Sequence, residues 1–104
     1  MDELTNVEQL NNGIVFVELY TDACNSCKKQ AKITEGLIPS YPSINFYQCN
    51  SMTEIGAKLC EENNLMQAPS MLIFKDGELV EKFSGLTIPM MMQDKLNRVL
   101  ALGE

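Results

Sequence analysis

This sequence predicts an α/β fold: a central mixed β-sheet of four strands, five if the residues ahead of Val7 supply one, flanked by helices. Three observations carry that expectation. Turn signals cut the chain into short elements that alternate between strand-like and helix-like patterning. The run Ile14 to Tyr20 has apolar side chains on both faces, as a strand covered on both sides requires. Asp76-Gly77 stands between two strand-like runs and suits a two-residue hairpin turn, in which both positions need positive φ. A right-handed crossover makes the first two strands parallel, and the hairpin adds an antiparallel edge.

Taken in order, Val7 to Leu10 reads as a first helix, stopped by Asn11-Asn12-Gly13. Ile14 to Tyr20 is the first clear strand, and only Glu18 interrupts it. A helix follows from about Cys24 to Leu37 or Ile38 and is ended by Pro39 and Pro42. Ile44 to Cys49 is the second strand. Ser51-Met52-Thr53-Glu54 has the Ser-x-x-Glu form of a capping box ahead of a helix that carries Ile55, Leu59 and Cys60 and ends near Asn63-Asn64. Ser70 to Lys75 and Glu78 to Ser84 pair as the hairpin. The last helix runs from Ile88 or Pro89 to Leu102, with Met92, Leu96, Val99 and Leu100 on one side to close the core.

At 104 residues the chain suits one domain with a real core and is too short for two, so a single domain over 1–104 is expected. Apolar residues at 45% and charged residues at 21% are ordinary globular proportions, which excludes a disordered chain. Eight Lys and Arg against fourteen Asp and Glu give a net charge of −6, unfavourable for nucleic acid or an anionic membrane. The segment Met1 to Asn6 has acids where a signal peptide needs bases, and no apolar run approaches the ~18 residues of a membrane span. A soluble cytoplasmic protein is the expectation. Four cysteines then sit in a reducing compartment, where a close pair is more often catalytic or metal-binding than structural.

The chemistry concentrates at Cys24-Asn25-Ser26-Cys27, directly after the first strand and at the start of a helix. Cysteines three apart in a first turn share a face, with Cα atoms near the ~4.4 to 6.8 Å that a disulfide needs. The helix N-terminus favours a thiolate on the outer cysteine. Cys24 is therefore the candidate nucleophile and Cys27 the resolving thiol. A zinc site would have to recruit Cys49 and Cys60, whose spacing of eleven is not a knuckle, and the chain has no histidine. A haem link would need His where Lys28 stands. No metal or other cofactor is expected. Cys49 and Cys60 read as packed residues of a strand end and a helix face, the alternative being a second redox-sensing pair. Glu18 is a partnered structural acid, an acid pointing to the surface at a sheet edge, or a buried base that takes the proton of Cys27; the last reading is preferred. Met90, Met91 and Met92 read as core filler and helix surface.

With the first strand, the Cys24 to Cys27 helix start, Ala68-Pro69-Ser70 before a strand and Phe74-Lys75-Asp76-Gly77-Glu78 in the hairpin, the chain resembles the thioredoxin family along most of its length. The resemblance implies the thioredoxin fold, a redox-active Cys24–Cys27 disulfide, a cis-proline at Pro69, a buried acid at Glu18 and a glycine near the hairpin's end at Gly85. It implies thiol–disulfide exchange with protein substrates that dock at Ala68, Pro69 and Gly85, in a monomer reduced again by a thioredoxin reductase. An X-Pro in the cis form at a strand start leaves the preceding backbone free to pair with a substrate chain. The sequence departs from the family in five ways: Asn25-Ser26 replaces Gly-Pro, there is no tryptophan, Lys32 stands at the usual helix proline, the Ile44 to Cys49 strand has no lysine to partner the acid, and the stretch ahead of the motif is shorter, so that the family's first strand is short or absent. The missing tryptophan and Asn25-Ser26 frame the competing reading, a non-enzymatic interaction module on the same fold; a third is a metal carrier using the thiolate pair.

Overall fold

The computed structural model describes residues 1–102. In chain order it contains β1 (Asp2–Glu3), a 3-10 helix (Val7–Asn11), β2 (Ile14–Tyr20), α1 (Asn25–Leu37), a second 3-10 turn (Ile38–Ser40), β3 (Ile44–Asn50), α2 (Glu54–Glu62), β4 (Ser70–Lys75), β5 (Glu78–Ser84) and α3 (Pro89–Ala101). The strands form one sheet in the order β1-β3-β2-β4-β5. β2 pairs parallel with β3, from Ile14 opposite Ile44 to Tyr20 opposite Asn50. β4 runs antiparallel to β2, and β5 antiparallel to β4.

The alternation of side chains along a strand divides the core into two layers. Phe16 from β2 joins Met71 and Ile73 from β4 under α1 and α3, where Leu37, Met92, Leu96 and Val99 meet them. Val15, Val17 and Leu19 point the other way, with Leu72, Phe74 and Cys49, onto Leu59 of α2 and Leu10 of the first 3-10 helix. Both faces of β2 are thus covered, as its unbroken apolar run requires. Among the described residues no helix is long and apolar enough to cross a membrane.

Most elements lie where the sequence puts them, and the differences have local causes. The fifth strand exists but is only two residues long, Asp2 and Glu3 pairing with Tyr47 and Gln48. The first helix is of the 3-10 type, and the reciprocal capping box that starts it is Asn6 with Gln9, which sequence reading passed over. The expected box at Ser51 is not formed. Thr53 caps α2 instead, its hydroxyl accepting from the N–H of Gly56. The carbonyl of Asn50, at the end of β3, already accepts the N–H and hydroxyl of Thr53, which sets the helix start two residues beyond Ser51. At the hairpin, Asp76 and Gly77 both take positive φ, 51° and 86°, as expected. A register shift between Ile73 and Phe74 adds a bulge there.

Candidate functional site

The chain leaves β2 through a short turn and enters α1 at Cys24, which is the N-cap residue rather than part of the first turn. Its backbone is extended, so its sulfur turns back over the open helix end and accepts the N–H of Cys27 at 3.1 Å. Cys24 and Cys27 are joined as a disulfide, with Cα atoms 5.2 Å apart. Cys24 is half-buried and Cys27 is 4% exposed. The Ser26 hydroxyl lies 3.4 Å from the Cys24 sulfur. Once the disulfide is reduced, that hydroxyl and the helix N–H groups are positioned to stabilise negative charge on Cys24.

Pro69 follows a cis peptide bond, and the carbonyl oxygen of Ala68 stands 3.8 Å from the Cys24 sulfur. Gly85 has φ 86°, a conformation that L side chains rarely adopt, and its N–H donates to the Pro69 carbonyl at 2.8 Å. The segments on either side of the β4–β5 hairpin, 66–69 and 85–88, are thereby fixed to each other, with Ala68 beside the disulfide.

Glu18 is wholly buried, on the side of β2 that faces α1. The Thr34 hydroxyl donates to its carboxylate oxygen at 2.5 Å. Burial pushes the carboxyl up to about 7 from an ordinary 4.5, partly opposed by the Thr34 hydrogen bond, with smaller effects from Glu35, which raises it, and the amino terminus, which lowers it. Glu18 and Cys27 line one crevice of about 230 Å³, together with Tyr20, Asp22, Lys28 and Gln48. A buried carboxyl that titrates near neutrality beside a shielded thiol can accept that thiol's proton through the crevice.

Cys49 and Cys60 are free thiols, the first buried and the second half-buried. Burial raises both thiols, which leaves them protonated and poorly nucleophilic near neutral pH. Among the described residues no group of three or more His, Cys, Asp or Glu is gathered to hold a metal ion. Of the expected site residues, Cys24 and Cys27 form the disulfide, Ala68 stands beside Cys24, Pro69 is bonded to Gly85 next to Ala68, and Glu18 shares a crevice with Cys27. Thr34 and Gln30, both wholly buried on α1, were not anticipated. The only sequence signal for them was their place at Cys27 plus three and plus seven, one helical face.

A family model described as Thioredoxin matches residues 3–98. Thioredoxin-1 of Saccharomyces cerevisiae is 32% identical over 72 residues, which is 69% of this chain and 68% of that protein. A thioredoxin-like protein of Acanthamoeba polyphaga mimivirus is 26% identical over 70% of this chain, and the chain spans about half of that relative, 53%. Among solved structures, oxidised mitochondrial thioredoxin 3 from Saccharomyces cerevisiae superposes with a TM-score of 0.80 over 94% of both chains at 22% identity. Oxidised thioredoxin from Plasmodium falciparum gives 0.80 over 95% of this chain and 97% of its own at 17% identity. At such identities the structural likeness speaks to the fold.

Proposed function

This chain belongs to the thioredoxin family, and from that premise we infer its chemistry: it is a thiol–disulfide oxidoreductase whose working pair is Cys24 and Cys27. We propose that it runs in the reducing direction on protein disulfides. The Cys24 thiolate attacks one sulfur of a substrate disulfide, a Cys24–substrate bond forms, and the other substrate sulfur leaves as a thiolate. Cys27 then gives its proton to Glu18 and attacks the Cys24 sulfur. The intramolecular disulfide re-forms, the second substrate thiolate departs, and the substrate has gained two electrons.

Ala68, Pro69 and Gly85 are the docking residues in this reading: the Ala68 carbonyl stands beside the Cys24 sulfur, where a substrate strand can pair with the backbone, and Pro69 is bonded to Gly85 next to it. The oxidised pair takes two electrons from a reductase, a thioredoxin reductase by family likeness. We further propose a single-domain monomer in the cytoplasm; the unpaired Cys49 and Cys60 support a reducing compartment. The observation that carries the reading is the half-buried Cys24 sulfur at the helix N-terminus with a buried partner three residues on.

Reduction of insulin with a small dithiol as electron source tests it. Wild-type protein should accelerate precipitation of the insulin chains, and Cys24→Ser should abolish the acceleration. Full activity in Cys24→Ser would reject the assignment.

A further inference from the structure

We propose that Gln30 is a positioning residue for substrate docking, clamping the 85–88 loop to the redox helix through a paired amide–backbone contact. The inference rests on the reading above that Pro69 and Gly85 meet the substrate.

Gln30 lies one turn beyond Cys27 on the buried face of α1 and is 0% exposed. Its Nε2 donates to the carbonyl of Thr87 at 3.2 Å, and the N–H of Thr87 donates to its Oε1 at 2.6 Å. One side chain thus satisfies both backbone groups of a residue 57 positions away, as a neighbouring strand would. Residues 85–88 belong to neither β5 nor α3, so no ladder serves Thr87, and a buried backbone group without a partner is costly. An apolar side chain would fill the same space and leave both groups unpaired.

The clamp reaches the disulfide by a continuous path. Thr87 Oγ1 donates to the carbonyl of Gly85 at 3.0 Å, Gly85 N–H donates to the Pro69 carbonyl at 2.8 Å, and the neighbouring Ala68 carbonyl stands beside the Cys24 sulfur. With Thr87 held inward, Leu86 and Ile88 on either side face solvent, at 48% and 53% exposure, as apolar contacts for an incoming chain. Gln30 touches no reacting atom. Its effect is to keep the docking backbone in register with Cys24, so it matters for a substrate that uses that backbone and not for one too small to reach it.

Gln30→Met keeps an unbranched side chain of similar length and removes both hydrogen bonds. Steady-state reduction of insulin and of a small aromatic disulfide should separate. The KM for insulin should rise about five- to tenfold with kcat within about twofold of wild type, a change of the size expected from losing one to two hydrogen bonds. Turnover of the small disulfide should stay within about twofold. The amide proton of Thr87 should exchange with solvent at least about tenfold faster, while amides of β2 and β3 keep their protection. Gln30→Leu repeats the test with different packing, in case the methionine variant folds poorly. Equal losses on both substrates, or unchanged kinetics and unchanged Thr87 exchange, would overturn the proposal. Wild-type protein that reduces neither disulfide would instead bring down the reductase reading, and the Thr87 exchange rate would still decide whether the clamp positions the loop.

Discussion

Glu18 is pulled in opposite directions by its two surroundings: burial favours the neutral acid, and the Thr34 hydroxyl favours the carboxylate. Burial wins. Because the folded value, about 7, lies above the ordinary 4.5, the acid stabilises the fold below pH 4.5, and that contribution is lost as pH rises through 7. A shift of that size corresponds to roughly 3 kcal/mol. Glu18→Gln, which cannot ionise, should therefore match wild type near pH 4.5 and exceed it by on the order of 2 to 3 kcal/mol at pH 8 in urea unfolding. The same variant should release substrate slowly from the Cys24 mixed disulfide, having lost the proton acceptor. Equal stability of the two proteins across that range would contradict the assigned environment. Glu18 was legible in the sequence because an acid in an apolar strand breaks a pattern. Thr34 and Gln30 were not, since a polar residue on a helix reads as surface, and here the buried face of α1 is Cys27, Gln30, Thr34 and Leu37. Periodicity of apolar residues cannot find a face that buries two polar ones.

At the scale of elements, the helix starts do most of the positioning. α1 begins with a sulfur as its cap, which places the reactive atom on the unsatisfied N–H groups; the sequence placed Cys24 at this helix end but inside the first turn, not at the cap. The start of α2 did not follow, because Ser51 and Thr53 both offer a hydroxyl and only the end of β3 decides between them. That junction leaves no room at Gly56, where a Cβ would stand 2.1 Å from the carbonyl oxygen of Asn50. In an open helix, Gly to Ala stabilises by about 1 kcal/mol. Here Gly56→Ala should destabilise, by about 1 to 3 kcal/mol, since backbone must move to admit the methyl. Denaturant unfolding checks this, and a stabilised variant would show that the junction is looser than described. The two-residue β1 sits below any pattern a sequence can display; its pairing comes from the neighbouring edge of β3.

For the molecule as a whole, the topology explains why the site lies where it does. β2 and β3 are neighbouring parallel strands, and the chain leaves their carboxyl ends toward opposite faces of the sheet, through α1 on one side and α2 on the other. Such a divergence opens a crevice at the strand ends. Cys24 lines it, with Ser51, Ala57 and Cys60 from the α2 side. The α/β class and the hairpin were legible because apolar runs and the Asp76-Gly77 turn specify them locally. The contact between Pro69 and Gly85 continues that hairpin one step beyond Ser70 and Ser84, whereas the link from Thr87 to Gln30, 57 residues away, has no local signature. In the proposed reaction Cys24 forms the covalent link to a protein disulfide and Cys27 breaks it. Mass-spectrometric mapping of the adduct between reduced Cys27→Ser protein and insulin tests this most directly. A stable mixed disulfide with the insulin cysteine attached to Cys24, released by added dithiol, is expected. An adduct on Cys49 or Cys60, or none at all, would contradict it.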